Sequence, residues 1–177
     1  MINRKNQKGF SLIELLIVVA IILIIAAIAI PNLLRAQMAA HEASAVGSIR
    51  TLNTSTVTYQ STYGNGFAPN LTVLGGTAGA AATCDAAQLV DPTITAAPNQ
   101  KSGYTFSLVG LGTPVTPPAG CGTPGTNTYV VAGVPITVGT TGQRTFCSDE
   151  SGVIRFDPAG GGAPATDTAC EGLQALQ

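Results

Sequence analysis

Between Leu15 and Ile30 every residue is apolar: sixteen consecutive positions of Leu, Ile, Val and Ala. A helix built from such a run is apolar all round, so it cannot lie on a protein surface with one face in water. The stretch from Phe10 to Ile30 is 21 residues, about 31 Å as a helix, which just crosses the hydrocarbon core of a bilayer. Arg4, Lys5 and Lys8 precede it with no acid among the first nine residues, and basic flanks stay on the cytoplasmic side. A secretory signal cleaved near Ala27-Ile28-Ala29 fits this pattern, and so does an uncleaved anchor. Glu14 interrupts the apolar stretch and fits neither. A carboxylate at the bilayer costs on the order of 2.5–3.5 kcal/mol by insertion scales, so it needs a partner or a task. Cleavage after Gly9 would create a cationic amine on Phe10, which a neighbouring copy could offer to Glu14.

The remainder of the chain has the opposite character. Charged residues are 10% of the 177, against about a quarter in ordinary domains. A net charge of −1 gives no basic footprint, so nucleic acid is not predicted as a main partner. Nineteen of the 21 Gly and ten of the 11 Pro follow Tyr63, marking short strands and long loops. All four cysteines (Cys84, Cys121, Cys147, Cys170) lie there without C-x-x-C spacing, which points to disulfides in an oxidising compartment. Four cysteines allow three pairings. The preferred one joins Cys147 to Cys170, clamping the acidic C-terminal tail, and leaves Cys84 with Cys121.

Beyond the apolar run, Leu34, Met38, Ala45, Ile49, Leu52, Thr56, Tyr59 and Tyr63 recur at steps that keep one helical face. Gly64, Gly66 and Pro69 then end the helix. Pro31 removes one helical hydrogen bond, so a kink is expected there. Residues 64–101 read as loop around a short apolar piece from Gln88 to Val90. Strands are predicted at Tyr104–Leu108, Thr128–Val134, Arg144–Cys147 and Val153–Asp157, linked by turns that favour an antiparallel meander. The fold class is α+β: a long N-terminal α-helix, membrane-spanning in its first half, packed on a small C-terminal antiparallel β-sheet.

The string KGFSLIELLIVVAIILIIAAIAIPNLLRAQ closely resembles the N-terminus of type IV prepilins and of the related pseudopilins of type II secretion. The resemblance implies that prepilin peptidase cleaves between Gly9 and Phe10, that Phe10 is N-methylated, and that Glu14 is the assembly glutamate. Pro31 matches the proline of the family's first helix. The run GTTGQRTFCSDESGVIRF is similar to the C-terminal strands of some bacterial pilin-like proteins. The resemblance divides the chain into four parts. Residues 1–9 are a cytoplasmic leader, 10–34 a transmembrane and fibre-core half-helix, 35–62 an amphipathic half-helix, and 63–177 a periplasmic or extracellular β-rich head. Such a subunit waits in the bacterial inner membrane and then joins a periplasm-spanning or cell-surface filament. Its partners are the membrane, the peptidase/N-methyltransferase, an inner-membrane assembly platform, and itself in a helical filament. A pseudopilin driving protein export is the main alternative, and a membrane-anchored binding ectodomain a more distant one.

Little in the sequence speaks for catalysis. His41 is the sole histidine and sits among alanines, so a surface or subunit-contact His is the preferred reading, and a Ser–His–Asp triad or a zinc site is hard to assemble. No P-loop or dinucleotide fingerprint is present. No cofactor is expected. Asp149, Glu150, Asp157 and Asp167 offer oxygen ligands for calcium, yet match no ligand pattern, and a solvated acidic turn is the preferred reading. We predict that the mature chain begins at Phe10 and keeps the whole apolar run. N-terminal sequencing and intact mass check this, and a start at Ile30 would mean conventional signal cleavage.

Overall fold

The computed structural model describes residues 10–77 and 79–176; the leader 1–9, with Gly9, lies outside them. Contacts divide the chain into two units, one ending at Gln37 and one beginning at Met38. Helix α1 (Leu12–Tyr63) contributes to both.

In the first unit every described side chain except the half-buried Ala26 is exposed. Seventeen large apolar side chains from Phe10 to Leu34 stand 46–86% exposed. Helical structure is continuous through Pro31: the loss of one N–H donor does not interrupt it, because the flanking turns keep their own hydrogen bonds.

In the second unit α1 changes character. Ala45, Ile49, Leu52, Thr56 and Tyr59 are all fully buried, at the three-and-four spacing that aligns one helical face. They share a core with Tyr104, Phe106 and Leu108, whose alternate positions point to the same side of a sheet. That sheet has six antiparallel strands in sequence order: β1 (Gln100–Lys101), β2 (Tyr104–Pro114), β3 (Thr126–Pro135), β4 (Thr145–Asp149), β5 (Arg155–Asp157) and β6 (Gln174–Ala175). The opposite face carries a smaller cluster of Val130, Ala132, Cys147 and Cys170 under the short helix α4 (Asp167–Glu171). Cover on both sides leaves all five residues of β4 buried. Tyr59, Tyr104 and Tyr129 belong to the core, and Tyr63 is half-buried against it.

The observed elements extend the sequence reading. β2 continues past Leu108 to Pro114 because Gly110 lets two segments approach: a Cβ there would lie 2.5 Å from Thr126 Oγ1 and 2.8 Å from Pro69 Cα. The 64–101 stretch, read as loop, contains α2 (Leu71–Leu74), α3 (Pro92–Thr95) and β1. Asn70 and Asp91 cap the two one-turn helices by accepting the N–H groups of Val73 and Thr93. β5 begins at Arg155 and not at Val153. Val153 gives its carbonyl to Ser148 Oγ, and the buried Ile154 gives its own to Leu176 N–H, so both are committed elsewhere.

One charged group fixes the helix to the sheet. Glu42 Oε1 accepts the N–H groups of Gln143 (2.9 Å) and Arg144 (3.2 Å), while Oε2 accepts Arg144 Nε (2.9 Å) and Nη2 (2.7 Å). The Arg144 guanidinium also lies 5.3 Å from the ring centroids of Phe146 and Phe156. Burial alone pushes the Glu42 carboxyl up. The N–H of Gln143, the Arg144 donors and the Arg144 charge together outweigh it and hold it below its ordinary value. A depressed folded pKa means stability present above the unfolded value of about 4.5 and lost as pH falls through the folded one. We therefore expect Glu42→Gln to lower head stability by about 1–3 kcal/mol at neutral pH and to flatten its acid dependence below that value. Urea unfolding of the detergent-solubilised chain across pH, followed by tyrosine fluorescence, measures both effects.

Candidate functional site

The exposed N-terminal segment and the cross-linked head are the two places where sequence reasoning puts function. At the start of α1, Ser11 acts as N-cap: its carbonyl accepts Leu15 N–H (3.3 Å) and its Oγ accepts Ile13 N–H (3.4 Å). Glu14, three residues on, reaches back so that its Oε2 accepts Ser11 N–H at 2.9 Å. Together these contacts make a variant of the capping box, in which the Ser11 hydroxyl takes the second helical N–H and not the third. The S-x-x-E spacing carries that signal in the sequence, although composition alone marks Glu14 only as a charge in need of a distant partner. It has a local one. Among the described residues Glu14 has no ion-pair partner, the one ion pair there being Glu42–Arg144. Phe10 precedes the cap and is 86% exposed. Gly9 lies outside the described residues.

In the head the structure joins Cys84 to Cys121 and Cys147 to Cys170, with Cα separations of 5.5 and 6.0 Å. The second bond ties β4 to α4 across the smaller core cluster. Closing loops of 37 and 23 residues contributes about 3–4 kcal/mol each in the chain-entropy account. Around the first bond lies a hub that sequence reasoning missed. The fully buried Asn65 donates through Nδ2 to Tyr59 Oη (2.9 Å) and to Thr123 O (2.8 Å), and its Oδ1 accepts Gly125 N–H (3.2 Å). The Tyr59 hydroxyl in turn donates to Cys84 O at 2.8 Å. Asp85 accepts the N–H groups of Gly122 and Thr123. The end of α1, the Cys84 loop and the Cys121 loop are thus fastened by hydrogen bonds as well as by sulfur. Nothing in local sequence marks Asn65 for this task, since its partners lie up to 60 positions away.

The acidic residues considered for calcium do not converge. Asp149 accepts Ser151 N–H, Asp157 accepts Ala159 and Gly161 N–H, and Asp167 accepts Thr168 N–H, each within its own turn. No group of three or more His, Cys, Asp or Glu side chains fit to hold a metal is found among the described residues. His41 is half-buried, with Nδ1 3.0 Å from Thr141 O. Burial, with Asp149 and then Glu150 nearby, pushes the Tyr129 hydroxyl up to about 12, so it stays protonated and structural. An open depression of about 380 Å³ between Gly76 and Pro92 contains Asp91 as its single carboxylate and no His or Cys. Among the described residues of the head, Asp149, Asp157, Asp167, His41 and Tyr129 are thus each held in local or structural contacts.

Comparison with known proteins bears on the exposed segment. Residues 4–30 match the model of the prokaryotic N-terminal methylation motif. Over 38 residues the chain is 63% identical to the type IV wide pilus major component PilA4 of Thermus thermophilus. That alignment covers 22% of this chain and 29% of the relative, so it spans less than a third of the relative's length. The comparison with solved structures gives no significant match.

Proposed function

We propose that the chain is a structural subunit of the prepilin/pilin family that polymerises into a type IV pilus-like filament, a reading supported by the methylation motif over residues 4–30 and by the 38-residue likeness to a type IV pilus component. The observation that carries this reading is the exposed apolar half of α1 with Glu14 at its head, its carboxylate accepting Ser11 N–H. In the precursor and monomer the bilayer of the inner membrane surrounds that half-helix. Peptidase cleavage between Gly9 and Phe10 removes the basic leader and exposes a new amine, which is then methylated. In the filament, neighbouring copies of the same segment replace the lipid. Identical contacts that do not close into a ring extend without limit. Pro31 lies between the membrane-spanning turns and the amphipathic ones, where a bend would adjust packing. The disulfide-bonded heads face outward in an oxidising space.

Glu14 sets the register in this scheme. Its carboxylate meets the Phe10 amine of the next copy, an attraction strengthened where water is excluded. The capping box holds the carboxylate at the helix start beforehand, so little ordering is needed at assembly. The capping role and the charge role separate by substitution. Glu14→Gln keeps an acceptor for Ser11 N–H and loses the charge, while Glu14→Ala loses both. We expect both variants to insert, to be processed and to form disulfide-bonded heads, yet to leave few or no fibres in sheared material. Fractionation with electron microscopy checks this. Normal fibres from Glu14→Gln would remove the charge pair from the mechanism. If the wild-type protein were absent from sheared material and assembled only within the periplasm, the secretion pseudopilin would take the place of the pilus.

A further inference from the structure

Five large apolar side chains of the second unit are exposed: Val57, Val109, Ile136, Val138 and Val153. Two of them, Ile136 (47%) and Val138 (45%), sit in one loop, residues 136–143, between β3 and β4. The loop is built to hold them out. Ile136 N–H donates to Gly103 O at 3.0 Å, and the N–H groups of Thr140 and Thr141 both turn back to Thr137 O. A tight turn therefore presents Ile136 and Val138 among three threonine hydroxyls, and the loop carries no charged residue.

Its level along α1 is fixed by direct contacts. Thr141 O lies 3.0 Å from His41 Nδ1, and Glu42 accepts the N–H groups of Gln143, at the loop's end, and of Arg144, just beyond it. Val153 belongs further on: its carbonyl accepts Ser148 Oγ, and Ser148 accepts Asn53 Nδ2. Asn53 is twelve positions beyond His41, about 18 Å along a helix. Val109 is further still, opposite Asn70 beyond the end of α1. His41 stands seven positions after Leu34, the last large residue of the exposed apolar stretch. Seven residues reach at most about 25 Å even when fully extended. Val57 stands sixteen positions beyond His41, so among the five large exposed apolar side chains of the second unit Ile136 and Val138 are tied by the shortest tether to whatever surrounds the apolar segment. The local charges do not oppose a lipid surface. The Glu42 charge is taken by Arg144, Asp157 is engaged by two N–H groups, and Lys101 is exposed.

We propose that the β3–β4 loop is a membrane foot: in the unassembled subunit Ile136 and Val138 insert into the headgroup region of the bilayer that holds the chain's own apolar segment. This rests on the membrane-inserted monomer of the proposed function. Two β-branched side chains beside hydroxyls suit that interface, where apolar bodies are buried and polar tips stay wet. The foot would steady the head over the membrane and would leave the lipid when the subunit enters a filament.

The chain contains no Trp, so a single introduced Trp reports its own surroundings. Full-length Ile136→Trp, Val138→Trp and, as reference, Val153→Trp are reconstituted separately in vesicles of phosphatidylcholine and phosphatidylglycerol and isolated by flotation. Interfacial Trp sits at headgroup level. We expect blue-shifted emission and about two-fold quenching by brominated lipid for Ile136→Trp and Val138→Trp, with water-like, unquenched emission for Val153→Trp. Floating protein in which both loop variants match Val153→Trp would overturn the foot and leave the membrane-inserted monomer intact. A blue shift without bromine quenching would place a second copy on the loop, and would also overturn it. Protein that fails to float would overturn the membrane reading itself.

Discussion

Seventeen large apolar side chains, 46–86% exposed among the described residues, set the terms for this molecule. Removing such a side chain from water is worth about 1.5–3 kcal/mol, so together they outweigh the 5–15 kcal/mol or so that holds an ordinary domain folded. What covers the segment from Phe10 to Leu34 therefore decides where the protein resides more firmly than the fold of its head does. Lipid and further copies of the same helix are the two covers that match an all-round apolar surface. Lipid does not distinguish one rotation of an all-round apolar helix from another. In the proposed filament a single charge at a defined turn, that of Glu14, would supply a register that the apolar surface lacks.

The head solves a different problem with different means. Its core is drawn from one stripe of α1 and from alternate residues of short strands, and is modest for the length of loop it must hold. Fixed points compensate. Glu42 fastens the start of the head's helix to Gln143 and Arg144 just before β4, Asn65 fastens its end to two loops, and two disulfides restrict the remainder. Each of the three spans a long stretch of sequence.

Local patterning made much of this legible. The apolar run, the three-and-four recurrence from Ala45 to Tyr59 and the alternation at Tyr104, Phe106 and Leu108 are short-range signals, and the elements they announce are present. The segment from Gly64 to Lys101 was less legible because α2 and α3 are single turns, held by their caps and by tertiary contacts more than by periodicity. Glu42 and Asn65 escape a sequence reading for a related reason. A buried polar residue within a helix or at its end looks like a surface residue until its distant partners are known, and those of Glu42 lie about a hundred positions away. Glu14 is the instructive case. Its membrane cost is plain from composition, whereas its capping box is equally local and needs only the spacing from Ser11 to be noticed.

An electron cryo-microscopy reconstruction of fibres sheared from cells tests the central claim most directly. The account predicts fibres made of this chain, with the segments from Phe10 to Leu34 of neighbouring copies packed against one another along the axis and the disulfide-bonded heads outside. Fibres in which that segment is missing from the chain, or lies on the outer surface while the heads make the axial contacts, would contradict it.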